Sequence, residues 1–282
     1  MPFIVGVGRS GTTLLRLMLD AHPDLAIPAE TGWVPAAAAL PAGPDQAAHL
    51  VALVTGHATF PDCGLDPAEY ADAVGRLHPF DLAGGVRAFY RLYSAGHGKG
   101  RGGDKSPGHS LRPDAISALL PEARIVHIIR DGRDVALSVR PLWFAAGTEI
   151  VDLARHWRLT VEGCRDAGRR CRHYTEVRYE RLVVDPESEL RRVAEVLELS
   201  FDPAMLRSHE GARRRLGEVT TWLRPDGSVL ISKEERLHNH RLTSTPPDAT
   251  RIGRWRSEMS AEERAAFAGE AGALLAELGY EV

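Results

Sequence analysis

The chain has few cysteines. Its three cysteines, Cys63, Cys164 and Cys171, are too few and too widely spaced for a disulfide framework, and they include no Cys-x-x-Cys pair of the kind that binds metals. We therefore expect free thiols in a reducing compartment and no metal site.

Long apolar runs are also missing. The segments 33–40 and 50–54 are short and interrupted, well under the roughly 20 residues that a membrane span requires. Sequence with a functional pattern begins at Gly6, which leaves no room for the basic and apolar regions of a signal peptide. These absences predict a cytoplasmic protein without a membrane partner.

An excess of positive charge is absent as well. The 35 Lys and Arg residues and 38 Asp and Glu residues give a formal net charge of −3. No overall positive field would recruit nucleic acid, so any anion site must be local. A chain of 282 residues allows one or two domains. We see no internal repeat or linker and predict a single domain over residues 1–282.

Apolar runs that read as buried strands alternate with helical patterns. Strands are predicted over Pro2–Val7, Arg124–Ile129 and Tyr174–Arg178. Helices are predicted over Thr12–Ala21, Asp134–Arg140, Ile150–Arg172, Ser188–Leu197 and Ser260–Leu278, the last with a Ser260/Glu263 capping box. Segment 35–100 reads as helices and loops without defined ends, and segment 210–241 as polar, mobile loops. The alternation predicts an α/β fold in which helices flank a central parallel sheet.

A glycine-rich turn joins the first strand to the first helix. Gly6, Gly11 and Thr13 fit the phosphate-binding pattern G-x-x-x-x-G-K-[ST], but Thr12 occupies the lysine position and Arg9 places a cation inside the loop. A helix N-terminus with adjacent glycines binds phosphate through backbone N–H groups. The turn therefore predicts a 5′-phosphate ligand without the usual Mg–triphosphate arrangement. The predicted ligand residues are Gly8, Arg9, Ser10, Gly11, Thr12 and Thr13.

A second anion site is predicted after the second strand. Arg130 follows this strand directly, and Ser138 lies eight residues later in the next helix. Ligands in open α/β sheets lie beyond the carboxyl ends of the strands, and the arginine fork suits phosphate oxygens. One ligand with two separated phosphates would bridge both sites. A surface ion pair or helix cap in the segment 130–134 remains the alternative.

These two segments resemble the sulfotransferases that use 3′-phosphoadenosine 5′-phosphosulfate (PAPS). Residues 6–15, G-x-x-R-S-G-T-T-L-L, are similar to that family's 5′-phosphosulfate loop, and residues 124–138, R-I-V-H-I-I-R-D-G-R-D-V-A-L-S, to its 3′-phosphate motif. The loop arginine and the continuation Leu19–Pro23 resemble the tyrosylprotein sulfotransferase-like branch. The resemblance implies a P-loop-like three-layer fold, PAPS as co-substrate, 3′,5′-ADP as product and no metal.

The resemblance also implies roles for individual residues. Glu30, 21 residues after Arg9, would be the base, with Arg9 and Lys105 stabilising charge on the transferred group. Arg130 and Ser138 would bind the 3′-phosphate. Tyr179 of Y-E-R-L-V would lie near the nucleotide, and Arg251 and Arg254 of R-I-G-R-W-R match a late cofactor segment more loosely. From the residues alone, a surface acid, a surface lysine and a core tyrosine remain the alternatives for Glu30, Lys105 and Tyr179.

The acceptor is not identified by any motif. We expect a hydroxyl-bearing small molecule, glycan or tyrosine-like phenol, bound by segments 35–100 and 205–250. Trp33 and Trp143 are available for stacking, although aromatic residues usually belong to the core. We read His238–Arg241 as a polar loop over the substrate rather than a metal site. The animal members of the branch are membrane-anchored and have paired cysteines, and this chain has neither feature.

Two other functions and the oligomeric state remain open. A P-loop small-molecule kinase shares the fold and the loop position, although it needs the lysine that Thr12 replaces. A non-catalytic nucleotide-binding protein built on the same core would not need Glu30 and Lys105. A homodimer is left open.

Overall fold

Four parallel strands form the central sheet of the computed structural model, which describes residues 1–224 and 226–282. Residue 225, within the predicted acceptor segment 205–250, lies outside the described residues. The strands are β1 Pro2–Val5, β2 Leu25–Ala26, β3 Arg101–Gly102, β4 Asp104–Lys105, β5 Arg124–Ile129, β6 Tyr174–Arg178, β7 Trp222–Leu223 and β8 Val229–Ile231. The sheet has the order β4-β1-β5-β6, while β2 pairs with β3 and β7 with β8.

Helices account for most of the remaining regular structure. They are α1 Thr12–Asp20, α2 Val34–Ala38, α3 Gln46–Thr55, α4 Pro67–Gly75, α5 Leu82–Gly96, α6 Pro113–Leu119, α7 Gly132–Val139, α8 Ile150–Gly168, α9 Tyr179–Val184, α10 Pro186–Val196, α11 Ser208–Leu216, α12 Lys233–His240, α13 Trp255–Glu258 and α14 Ala261–Glu277. All five predicted helices are present within a few residues of their expected ends. Both hydrogen bonds of the predicted Ser260/Glu263 capping box form at the start of α14.

Alternate residues of β5 face two different helical layers. Val126 and Ile128 belong to a buried cluster with residues of α1 and α10. On the opposite face, Ile129 belongs to a cluster with Trp157 of α8 and Phe267 of α14. This burial on both faces explains why β5 is an almost continuous apolar run. The predicted fold, a parallel sheet flanked by helices in a P-loop-like three-layer arrangement, is confirmed.

The first strand ends two residues earlier than predicted. Gly6 has a φ of 151°, and a Cβ atom at this position would lie 2.5 Å from the Ile128 carbonyl oxygen. Only glycine fits both the conformation and the space. The chain therefore leaves the sheet after Val5, and the phosphate-type loop begins at once.

The segment 210–241 contains more regular structure than the predicted loops. It holds part of α11, the β7–β8 hairpin and α12. A capping box between Ser232 and Glu235 begins α12, and the buried Arg236 of this helix donates to both carboxylate oxygens of Asp62. The predicted loops are wrong: polar composition is typical of loops, but here caps and ion pairs order these residues.

Trp33 belongs to the core, which is the alternative to acceptor stacking that the sequence leaves open for it. Its side chain is only 1% exposed and packs edge-to-face on Phe89, with ring centroids 5.0 Å apart. Phe89 lies on α5 in an aromatic core that also contains Tyr70 and Tyr90. Trp33 therefore stabilises the packing of the α2–α5 layer.

No helix in 1–224 or 226–282 is both long and apolar enough to span a membrane. Across the same residues, no group of three or more His, Cys, Asp or Glu side chains is arranged to hold a metal ion. The three cysteines are free.

Gly132, at the start of α7, provides a test of the packing behind Arg130. A Cβ atom there would lie 2.4 Å from the Trp157 indole, whereas a Cβ atom at the exposed Gly163 of α8 meets nothing within 4 Å. We expect Gly132→Ala to lower the free energy of unfolding by about 1–3 kcal/mol through overpacking. Gly163→Ala should raise it by up to ~1 kcal/mol through helix propensity. Urea unfolding of both variants checks this, and a Gly132→Ala protein as stable as wild type would contradict the close packing.

Candidate active site

The four strands of the central sheet end along one edge, and a residue singled out in the sequence lies at or just after the end of each. Lys105 ends β4, the loop from Gly6 follows β1, Arg130 follows β5 and Tyr179 follows β6. The strand order therefore places Lys105 on one side of the loop and Arg130 and Tyr179 on the other. A cavity of about 560 Å³ lies at this edge and is lined by Glu30, the loop, Arg130, Ser138 and Tyr179, among others.

The loop between β1 and α1 has the backbone of an anion cradle. Gly11 has a φ of 97° and Arg9 a φ of 72°, which is uncommon for a residue with a side chain. Helix α1 has no side-chain cap and no acidic residue in its first turn, so neither a cap nor an acid competes for its first N–H groups. Thr12 and Thr13 add hydroxyls beside them, which gives a set of donors suited to phosphate.

Arg9 connects the loop to two distant parts of the chain. Its Nε donates to Ser138 Oγ at 3.1 Å and its Nη1 to the Asn239 carbonyl oxygen at 3.0 Å. Burial, followed by the positive charge of Arg130, lowers the pKa of Arg9. Two guanidinium groups so close together are stabilised by a bound anion. Sequence reasoning assigned Ser138 to a ligand phosphate and missed its bond to Arg9.

Arg130 is fixed by backbone and aromatic contacts. Its guanidinium donates to the Arg251 carbonyl oxygen at 2.6 Å and to the Arg9 carbonyl oxygen at 3.3 Å. It lies 4.4 Å above the Tyr179 ring and 3.6 Å from Asp134. Within residues 1–224 and 226–282, its buried Nε has no hydrogen-bond partner, and neither has Ser10 Oγ in the loop. Buried polar atoms without partners are costly, so both atoms fit a site completed by an anionic ligand.

The other residues predicted to contact the nucleotide also lie at the cavity. Tyr179 packs against the loop closely enough that a Cβ atom at Gly11 would lie 2.5 Å from its ring. Arg251 and Arg254 line the same end of the cavity. Arg254 forms two hydrogen bonds with the Glu258 carboxylate, whereas Arg251 meets Arg130 through its carbonyl group.

Glu30 and Lys105 form an ion pair on the opposite side of the loop. Lys105 Nζ donates to Glu30 Oε1 at 2.6 Å. Glu30 lines the cavity, while Lys105 is buried behind it. Burial lowers the pKa of Lys105, although the Glu30 carboxylate opposes this shift. The structure thus brings the two residues together and places Glu30 in front of Lys105.

The segment around Lys105 also fixes the backbone on both sides of the cavity. Ser106 Oγ accepts from the backbone N–H groups of Thr31 and Gly32, 3.0 and 3.1 Å away. Ser110 Oγ accepts from the Gly6 N–H at 2.7 Å. The same short stretch therefore holds the residues after Glu30 and the first residue of the loop. Sequence reasoning missed both serines, since serine in a Pro- and Gly-containing segment also fits an ordinary turn.

The buried carboxylate of Asp104 extends this network. Its Oδ2 accepts from Thr31 Oγ1 at 2.5 Å and from the Tyr90 hydroxyl at 2.7 Å, and its Oδ1 lies 3.2 Å from His109 Nδ1. Burial alone would raise the pKa of Asp104, but His109 and the two hydroxyl donors outweigh it and lower the pKa. Asp104 therefore orients the strand that carries Lys105 and the segment that carries Glu30.

His240 belongs to the segment His238–Arg241, which the sequence predicts as a polar loop over the substrate. The segment does reach the cavity through Asn239 and His240, but the expected loop conformation is wrong, because residues 238–240 are the end of helix α12. The hydrogen bond from Arg9 to the Asn239 carbonyl holds this end of the helix. Burial, with the charges of Lys105 and Arg9, places the pKa of His240 well below its usual value. The imidazole is therefore neutral beside the Glu30–Lys105 pair.

Of the two predicted acceptor segments, only the later one reaches the cavity. Within the described residues, 205–250 contributes Trp222, Ile231, Arg236 and the stretch from Asn239 to Asp248. Segment 35–100 contributes no lining residue, because its side chains form the aromatic core beside α5. Trp143, the second predicted stacking residue, lines the cavity and is 53% exposed.

Comparisons with known proteins point to one protein family. Residues 3–203 match the model of the Sulfotransferase family. The chain is 29% identical to nodulation protein NoeE of Sinorhizobium fredii over 99% of its own length and 65% of that protein. It is 30% identical to a putative protein-tyrosine sulfotransferase of Caenorhabditis briggsae over 74% of its own length and 69% of that protein. The chain thus spans about two thirds of the length of these relatives.

A solved structure has a similar fold over the whole chain. It is the sulfotransferase domain from the olefin synthase of Synechococcus PCC 7002, with a TM-score of 0.67 and 23% identity. The alignment covers 100% of this chain and 95% of that domain.

The Asp104 network predicts a pH-dependent loss of stability. Because the pKa of Asp104 is lowered in the folded state, its charged form stabilises the fold above pH ~4, and this contribution is lost as pH falls through the folded pKa. We expect Asp104→Asn to lower the free energy of unfolding by roughly 3 kcal/mol at pH 7, with the difference shrinking at low pH. The exposed N-cap variant Asp66→Asn should change little, because asparagine caps equally well. Urea unfolding across pH checks this, and equal losses for both variants would contradict it.

Proposed function

The chain belongs to the sulfotransferase family, and we propose that it transfers the sulfuryl group of PAPS to an acceptor hydroxyl and releases 3′,5′-ADP. The observation that carries this proposal is the row of groups at the sheet edge. A carboxylate–lysine pair, an uncapped helix N-terminus and a buried arginine with a free Nε lie in that order around one cavity. Two anion sites and a base are the groups that this reaction requires.

The two anion sites suit the two phosphate-bearing ends of PAPS. In this proposal the loop binds the 5′-phosphosulfate through backbone N–H groups and hydroxyls of Gly8, Ser10, Gly11, Thr12 and Thr13. Arg130 and Ser138 bind the 3′-phosphate, and a charge-assisted bond from Arg130 would use the Nε that now lacks a partner. Tyr179 supports the Arg130 guanidinium from below, with Arg251 and Arg254 at the outer end.

The proposed chemical step uses Glu30 as the base. Its Oε1 accepts from Lys105, which leaves Oε2 to take the proton of the acceptor hydroxyl. The acceptor oxygen then forms a bond to sulfur while the bond from sulfur to the bridging phosphate oxygen breaks. The electron pair of that bond stays on the 5′-phosphate of 3′,5′-ADP. Arg9 stabilises the negative charge that spreads over the sulfuryl and bridging oxygens, and Lys105 contributes from its buried position behind Glu30 once that carboxylate has taken the proton.

The kinase alternative is not favoured. The chain matches the sulfotransferase family over residues 3–203, and Thr12 occupies the loop position where such kinases need a lysine. A non-catalytic nucleotide-binding protein would have no use for the Glu30–Lys105 pair beside the loop. Turnover measured with PAPS and a panel of acceptors separates it from an enzyme.

We also propose that residues 1–282 act as one domain. The family match ends at residue 203, but residues 222–254 line the same cavity as the loop and Arg130. The hydrogen bond from Arg9 to the Asn239 carbonyl crosses between the two parts. A site assembled from both parts requires that they fold together.

Replacing Glu30 tests the base. Glu30→Gln retains the shape and an acceptor for Lys105 but cannot take a proton, so we expect turnover to fall by about 10²–10⁴-fold. Binding of 3′,5′-ADP, measured by calorimetry, should stay within about twofold because in this proposal residue 30 binds neither phosphate. Near-wild-type turnover would remove Glu30 as the base.

Replacing Arg130 tests the 3′-phosphate site. We expect Arg130→Ala to weaken 3′,5′-ADP by about 10- to 100-fold, since a hydrogen bond to a charged group contributes ~1.5–3 kcal/mol. It should weaken 5′-AMP, which lacks the 3′-phosphate, much less. Arg140→Ala is the matched control. Arg140 lies at the opposite end of α7 from Arg130 and pairs with Glu263 rather than with the proposed ligand. Equal weakening of both nucleotides would contradict the assignment.

A further inference from the structure

Exposed apolar side chains are concentrated at the mouth of this cavity. Of the nine large apolar side chains that the described residues expose strongly, four line it. These four, Leu111, Trp143, Phe144 and Leu242, are 43–70% exposed, and we call them the apolar rim. They come from three separate parts of the chain. A cluster of exposed apolar side chains from separate segments often marks a binding surface.

The apolar rim lies next to the loop rather than apart from the site. The Phe144 ring is near enough to Gly8 that a Cβ atom there would lie 3.3 Å from its Cε2. Trp143 packs edge-to-face on Phe144, with ring centroids 5.6 Å apart. Leu111 ends the short 3-10 helix Pro107–Leu111, which begins two residues after Lys105. The rim is therefore continuous with the space in front of Glu30.

The arginine on this side of the cavity is already paired with a carboxylate. Arg236 is the cation that lines it from the side of α12, and both of its terminal nitrogens donate to the Asp62 carboxylate. Its guanidinium also covers the Trp222 ring at 4.2 Å. His240 is neutral, as described above. The remaining lining arginines of the described chain belong to the loop and the nucleotide end, so an anionic acceptor would find no free cation here and would meet the Glu30 carboxylate.

From this arrangement we infer that the acceptor is an uncharged alcohol or phenol whose hydroxyl is carried on an apolar body. The body packs against the apolar rim and the hydroxyl reaches Glu30. Burial of the rim by such a body removes four exposed apolar side chains from water, which favours binding. Acidic peptides and free sugars do not match these walls. This inference rests on the proposed function and narrows its acceptor.

The test compares matched acceptors at a fixed PAPS concentration, with formation of 3′,5′-ADP and of sulfated product both measured. The apolar probes are 2-naphthol and 1-decanol. The contrasting probes are a tyrosine peptide flanked by glutamates and the disaccharide lactose. We expect the apolar probes together to give kcat/KM values at least about tenfold above both contrasting probes, since a buried apolar contact of this size changes binding by that factor or more.

Variants of the rim identify where the apolar body binds. Leu111→Ser and Trp143→Ser should each raise KM for the preferred apolar probe by about tenfold while KM for PAPS changes less than about twofold. Leu159→Ser is the control, because Leu159 is 54% exposed on α8 but does not line the cavity. It should leave both KM values unchanged.

The possible outcomes distinguish a wrong acceptor class from a wrong proposed function. Sulfation of the acidic peptide or of lactose in preference to the apolar probes would overturn the acceptor class and leave the sulfuryl transfer intact. Binding of 3′,5′-ADP without turnover of either apolar probe would also overturn the acceptor class. Failure to bind 3′,5′-ADP would overturn the proposed function itself. Equal effects of the rim variants and Leu159→Ser would show that the body binds elsewhere.

Discussion

The position of β1 between β4 and β5 is the constraint on which the site depends. All three strands run in parallel, and the register sets Ile4 opposite both Lys105 and Val126. Parallel strands end at a common edge, so the residues after them meet there whatever their distance in sequence. The loop, the Glu30–Lys105 pair and Arg130 are neighbours for this reason. A change of sheet order would separate the two anion sites.

The site gathers more positive charge than the protein alone neutralises, because Asp134, 3.6 Å from Arg130, offsets only part of the charge of Arg9 and Arg130. Arg9 and Arg130 donate chiefly to carbonyl oxygens of residues 239, 251 and 9 rather than to carboxylates. Carbonyl groups fix the direction of a guanidinium but leave its charge available. Helix α1 adds uncapped N–H groups, and Arg9 adopts an uncommon backbone conformation. Such features lower stability in the free protein and favour a bound anion.

The sequence predicts those parts of the fold that local patterns encode. The ends of β5 and β6, the glycine turn before α1 and the capping box of α14 are correct, because apolar runs, glycines and caps act over a few residues. The two-residue strand β4 is too short to leave a periodic pattern. The ordered elements within 210–241 depend on distant partners, such as Asp62 for Arg236. Polar composition alone therefore suggested loops.

The candidate site also combines residues that local patterns predict with contacts that only the whole fold determines. Resemblance and the strand-end rule brought Arg9, Glu30, Lys105 and Arg130 together from the sequence. The bond between Arg9 and Ser138 spans 129 residues and that to Asn239 spans 230, and no local pattern predicts such contacts. Trp33 and Trp143 look alike in the sequence, yet one is core and the other lines the cavity. Burial separates them, and burial is a property of the whole fold.

The exposure of the apolar rim has a consequence for how proteins of this type diverge. Substitutions of exposed side chains usually change folding stability by less than about 0.5 kcal/mol, whereas the loop, Arg130 and the Asp104 network are tied into buried hydrogen bonds. Mutations can therefore accumulate in the apolar rim while the loop, Arg130 and the Asp104 network stay unchanged. A lineage of such enzymes could explore new acceptors in small steps, each compatible with a folded protein and an unchanged sulfuryl donor.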